Sequence, residues 1–144
     1  MRKFKLLLTG TVGACVIFAG TMPALANNHT NTTFDFNKYN ADGTDIAFNA
    51  RAKKDSSASY VKLKTTTGAT LSISIAGTNN KSQISGINPK RCSSVVRIKP
   101  GSYKYITNTV HQRNYKYAYI VAGSHVNKKI NIHGEWSPDN ISGK

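Results

Sequence analysis

After residue 44 the chain alternates between apolar and polar positions. Asp45-Ile46-Ala47-Phe48-Asn49-Ala50-Arg51 sets Ile46 and Phe48 on one face. Tyr60-Val61-Lys62-Leu63-Lys64 sets Val61 and Leu63 against Lys62 and Lys64, and Leu71-Ser72-Ile73-Ser74-Ile75 turns three aliphatics one way and two serines the other. Val95-Val96-Arg97-Ile98 runs to the turn Pro100-Gly101, and Tyr103-Lys104-Tyr105-Ile106 follows. Lys116-Tyr117-Ala118-Tyr119-Ile120-Val121 is apolar on both faces, as a central strand is, and Lys129-Ile130-Asn131-Ile132-His133-Gly134 alternates again into Trp136. A period of two, rich in β-branched and aromatic residues, is the signature of strands. Gly, Asn, Ser and Pro clusters separate the runs at 42–44, 54–59, 77–93, 100–102 and 123–128. The best helical stretch, Asn108 to Tyr115, has neither caps nor a 3.6 period. The pattern therefore predicts an all-β fold: a single small β-sandwich or open barrel of about seven antiparallel strands over residues 45–140.

What precedes the alternation is of another kind. Arg2, Lys3 and Lys5 form a positive start, an apolar run extends from Leu6 through Phe18, and Pro23 leads into Ala24-Leu25-Ala26. This is the layout of a secretory signal peptide over residues 1–26, with cleavage between Ala26 and Asn27. Its apolar run is too short and interrupted for a membrane span, so no transmembrane segment is expected after processing. A rival reading takes Val12-Gly13-Ala14-Cys15 as a lipobox, but the apolar run continues past Cys15. Residues 27–33, Asn-Asn-His-Thr-Asn-Thr-Thr, are polar and of low complexity, so residues 27–44 are expected to form a flexible leader and first turn.

Export changes the reading of cysteine and charge. Only Cys92 survives processing, so no internal disulfide can staple the domain. Cys92 follows Arg91, which favours either a thiol of lowered pKa, a link to another chain, or a small buried side chain. The signal segment holds 3 of the 20 basic residues and none of the 6 acidic ones, leaving 17 against 6 and a formal charge of +11. Such an excess favours anionic partners, a wall polymer, a membrane surface of anionic lipid or nucleic acid, and equally fits a soluble protein whose charge only keeps it dispersed.

Catalytic chemistry finds little support. The carboxylates are Asp35, Asp42, Asp45, Asp55, Glu135 and Asp139, and no spacing pairs two of them for acid–base work. His29, His111, His125 and His133 are not spaced as metal ligands, and a single cysteine removes the usual zinc patterns. A His111–Cys92 dyad has no local signature. Lys38-Tyr39-Asn40-Ala41-Asp42-Gly43 fails as a calcium loop because Lys38 and Asn49 stand where acidic ligands belong. The expectation is no catalytic residues, no metal and no cofactor. Asn28, Asn31, Asn80 and Asn140 fit the glycosylation sequon, which matters only in a glycosylating producer.

The most suggestive feature is basic–aromatic interleaving: Lys99, Tyr103, Lys104 and Tyr105, then Arg113, Tyr115, Lys116 and Tyr117. Lysines on one face with tyrosines as stacking platforms would make an anionic-polymer surface, although exposed strands also collect Lys and Tyr for packing reasons. No motif points to specific nucleic-acid binding.

Asp55-Ser56-Ser57-Ala58-Ser59-Tyr60-Val61-Lys62, Ile73-Ser74-Ile75-Ala76-Gly77, Ile106-Thr107-Asn108-Thr109-Val110 and His133-Gly134-Glu135-Trp136-Ser137-Pro138-Asp139 occur in an order that resembles a family of small secreted Gram-positive proteins of unknown function, DUF2712. The resemblance spans about residues 45–140, with G-x-W-S-P-D as its sharpest part. It departs at His111-Gln112-Arg113-Asn114, where an acidic residue and Gly are expected. It implies export and a β-rich body, and it carries over no catalytic residue. Trp136 is expected to plug one end of the sandwich, with an exposed ligand-contacting Trp as the alternative. The combined expectation is a secreted, wall-associated binding module without catalytic activity; the alternative is a bacteriocin-like antagonist, although no long amphipathic helix of the membrane-lytic kind is present.

Overall fold

A computed structural model describes residues 28–38, 46–64, 69–124, 126 and 129–140. The signal segment, the Ala26–Asn27 junction, Cys15, the Asp42-Gly43 turn and His125 lie outside the described residues. Eight strands follow in order: β1 Thr32–Lys38, β2 Ile46–Ala52, β3 Ser59–Leu63, β4 Leu71–Thr78, β5 Val96–Ile98, β6 Tyr103–Ile106, β7 Tyr117–Gly123 and β8 Ile130–Ser137. They form two four-stranded antiparallel sheets, ordered β1-β8-β3-β6 and β2-β7-β4-β5. No ladder joins the sheets among the described residues, so this is a sandwich and not a closed barrel. β1 meets β2 along one margin and β5 meets β6 along the other.

The eighth strand is the one the alternation after residue 44 does not include. Thr32 to Lys38 lies in the stretch expected to be a flexible leader, yet it pairs along its whole length with β8, Thr32 opposite Trp136 and Lys38 opposite Ile130. The reason is local: Thr33-Phe34-Asp35-Phe36 already alternates, and Phe34 and Phe36 are buried. The Asn108–Tyr115 segment makes one tight turn and no helix. Arg113 N donates to Thr109 O (2.9 Å), Tyr115 N to Val110 O (3.1 Å), and Asn114 leaves the turn at φ 58°.

Alternation does what it predicts in the interior. Val61, Leu63, Leu71, Ile73, Ile75, Ile98, Ile106, Ala118, Ile120, Ile130 and Ile132 share one core with Phe34, Phe36 and Trp136. Each large side chain so buried contributes about 1.5–3 kcal/mol. Trp136 is fully buried near the end of β8, opposite Thr32 where β1 begins, so it is a core residue and not an exposed contact. Gly134, two residues before it, is required by close approach: a Cβ there would collide with the Phe34 ring and come 2.9 Å from Lys62 O. The outward side of β4 and β7 is not bare. Ala76, Tyr119 and Val121 form a second cluster, against which Ile84 from the long 79–94 connection packs with Ala47 and Ala50.

The closing Ser137-Pro138-Asp139 run makes a buried clasp. Lys53 Nζ lies 2.9 Å from Asp139 Oδ1, with both side chains 0 % exposed. The same ammonium donates to Pro138 O (2.8 Å) and Ser57 O (2.5 Å). Asp139 Oδ2 accepts from the backbone N–H of Asn28 (2.8 Å) and Lys54 (3.1 Å). Ser59 Oγ donates to Pro138 O and accepts from Asn108 Nδ2, extending the network to the end of β6.

Removing one partner of a buried pair strands the other charge, which costs about 3–5 kcal/mol. Asp139→Asn is therefore expected to lower the urea-denaturation free energy by about that amount. The double variant Lys53→Met/Asp139→Leu is expected to recover most of the loss. An Asp139→Asn protein of unchanged stability would contradict the clasp.

Candidate functional site

Where the charges fall decides where a partner can bind. The described carboxylates are all engaged at the β1–β8 side and the 53–57 loop. Asp35 meets His133 Nδ1 (2.5 Å), Glu135 meets Lys64 (2.6 Å), Asp55 meets Lys53 (3.6 Å), and Asp139 is held in the clasp. Between Ser56 and Gly134 the chain carries twelve lysines and arginines and no Asp or Glu. That run includes the whole β5–β6 margin, which therefore has no internal counter-charge of its own.

The margin is built by one crossing. β5 leaves the second sheet, turns at Lys99–Ser102 and enters the first sheet as β6. Gly101 takes φ 80°, Ser102 N donates to Lys99 O (3.1 Å), and Gly101 N and Leu63 N tie the turn to the end of β3. Below β5 and β6 the chain stays paired, with Thr109 N donating to Cys92 O (2.8 Å). Lys99 and Arg97 lie at the upper end, Lys104 at the middle, and Arg91 and Arg113 at the lower end. All five are exposed.

Register fixes which side chains share a face. Tyr105 is opposite Tyr60 and Tyr103 opposite Lys62, so both turn outward from the first sheet. Tyr60, Tyr103 and Tyr105 form a triad with ring centroids 5.5–5.8 Å apart. Tyr103 is 56 % and Tyr105 43 % exposed. Burial, with Glu135 and the two neighbouring rings, pushes the Tyr60 hydroxyl above its ordinary pKa, so it stays neutral in neutral solution. Lys104 is opposite Val61 and so points the other way, reaching solvent only because β6 is an edge strand.

The eight interleaved residues therefore do not make one surface. Lys99, Tyr103, Lys104 and Tyr105 share the β5–β6 margin, and Arg113 reaches its lower end, donating to Arg91 O (3.2 Å). Tyr115, Lys116 and Tyr117 do not join them. Residues 107–116 carry the chain from one sheet to the other, so Tyr115 packs against Gly77 and Tyr117 lies outward on β7 beneath Lys81 (5.3 Å). Sequence spacing within a strand is not face sharing. Arg97 and Arg91 belong to the margin and were missed; the acid-free run was the signal that would have found them.

Two recesses open on the margin. The upper one, about 390 Å³, is lined by Ala69, Thr70, Ser72, Arg97, Lys99 and Val126. The lower, about 440 Å³, includes Arg91, Ser93, Asn108, Thr109 and Arg113, with Cys92 at its floor. Among the described residues no three His, Cys, Asp or Glu side chains gather as metal ligands. His111 is exposed on its turn whereas Cys92 is buried.

A family model described as "Protein of unknown function (DUF2712)" matches residues 22–140. The chain belongs to this family. No curated protein and no solved structure matches it. In this DUF2712 chain the closing Gly134-to-Asp139 run is architecture: a glycine that admits Phe34, a core tryptophan, and the clasp carboxylate.

Cys92 is equally structural. Burial raises its thiol pKa, and the opposing pull of Arg113 and of hydrogen bonds from Gly77, Thr109 and Arg113 does not reverse the shift. Native DUF2712 protein is expected to react with a disulfide reagent at neutral pH far more slowly than the urea-unfolded chain. Equal rates would mean that the thiol is an accessible thiolate.

Proposed function

We propose that this protein is an exported binding module without catalytic activity that holds anionic polymers of the cell envelope along its β5–β6 margin. The observation that carries the reading is the segregation of charge. Each described carboxylate is engaged by a basic side chain within the fold, whereas five exposed cations line a margin about 20 Å long at a strand rise of about 3.3 Å per residue, in a stretch without Asp or Glu. Cations gathered on one surface without counter-charges raise the local concentration of an anionic partner and guide its approach.

The tyrosine triad fits beside this charge. Tyr103 and Tyr105 continue the margin onto the outer face of the first sheet, where flat rings suit the faces of sugar or polyol units between anionic groups. Lys62 stands next to them, opposite Tyr103. The charged, apolar and small-residue order of residues 1–26 supports export to the side of the membrane where such polymers lie.

Co-sedimentation with purified cell walls tests the reading. Binding is expected at low ionic strength and is expected to weaken steeply as salt rises. Lys104→Glu is expected to weaken it several-fold and Tyr103→Ala to a smaller extent, with both variants folded, because each side chain is exposed. Wall binding that ignores both salt and Lys104→Glu, or no binding by the unaltered protein, would overturn it.

A further inference from the structure

The upper recess is more specific than a basic surface. Ser72 and Arg97 are cross-strand partners, and their side chains lie on the outward side of the β4–β5 pair because Leu71, Ile73 and Ile98 point into the core. Thr70 and Lys99 flank the next outward row, about 7 Å further along at the rise of a strand. All four line the same recess. Among the described residues, none of these four side chains makes a hydrogen bond or ion pair; Lys99 is held only through its backbone oxygen, which accepts from Ser102 Oγ (2.7 Å). Ala69 and Val126 complete the lining with apolar side chains. No Asp or Glu is among the residues that line the recess.

We propose that this recess binds the phosphoryl group of an alkyl phosphate ester, the repeating unit of a phosphodiester polymer. The proposal rests on the reading of the margin as a polyanion surface and names the chemistry it selects. The Arg97 guanidinium offers two parallel N–H bonds to two oxygens of one phosphoryl group. Lys99 adds a point charge, and the Ser72 and Thr70 hydroxyls supply donors from the facing strand. Donors that come from two neighbouring strands and are spread along the strand direction suit a tetrahedral phosphoryl group, with its two free and two ester oxygens, better than a planar carboxylate. Ala69 and Val126 meet the carbon side of the ester, which bare inorganic phosphate lacks. One exposed site of this kind binds weakly, and a polymer that also runs past Lys104 gains by effective concentration.

The test follows backbone amide shifts of the protein titrated with sn-glycerol 3-phosphate, acetate, purified wall polymer, and vesicles of phosphatidylglycerol or phosphatidylcholine. Saturable shifts at Thr70, Ser72, Arg97 and Lys99 are expected with the phosphate ester and not with acetate. Arg97→Gln/Lys99→Gln is expected to abolish them and to cut wall-polymer affinity several-fold, whereas Lys104→Glu leaves the ester titration intact. The same shifts with wall polymer place the phosphate on a polymer, and the same shifts with phosphatidylglycerol vesicles place it on a lipid. Either result upholds the phosphoryl site. No saturable shift with the ester, or equal shifts with acetate, overturns it. Ester binding in a protein that ignores walls would sink the margin reading and leave this site standing.

Discussion

The buried pair between Lys53 and Asp139 holds the two ends of the described chain together. Dehydrating an ammonium and a carboxylate costs several kcal/mol per ion unless every donor and acceptor is met. Here Lys53 spends its three N–H bonds on Asp139, Pro138 and Ser57, while Asp139 takes the backbone of Asn28 and Lys54. One interaction thus gathers the entry to β1, the β2–β3 loop and the end of β8. β1 then lies along β8, and the sandwich closes on that margin without a disulfide.

The same economy of carboxylates shapes the rest. With so few acids, each described one pairs within the fold, and the stretch that supplies the β5–β6 margin has no Asp or Glu of its own. A substitution that disturbs the clasp acts through folding. One at Arg97, Lys99 or Lys104 touches a side chain with little packing, and acts on the partner.

Much of this was legible in the chain. Period-two runs mark β2 to β8 because their inward residues feed a single core, and Arg97-Ile98 to Tyr103-Lys104 shows its crossing through Pro100-Gly101. β1 was hidden by its polar approach, Asn27 to Thr33, although Phe34 and Phe36 already alternate. The basic–aromatic margin was half legible. Lys99, Tyr103, Lys104 and Tyr105 do share a margin, but Tyr115 and Tyr117 are carried to the other sheet by a turn that no local pattern announces. The roles of Gly134, Lys53 and Asp139 were out of reach, since each depends on a residue at least 70 positions away in the chain. Ser137-Pro138-Asp139 reads as an ordinary turn until Lys53 is seen beneath it.

Hydrogen–deuterium exchange in the presence of purified wall polymer tests the segregation of charge most directly. Added protection is expected at residues 96–106 and along 91–94 and 107–109, with none at β1 or the outward positions of β8. Protection centred on Asp35, His133 and their neighbours, with the β5–β6 margin unchanged, would contradict the account.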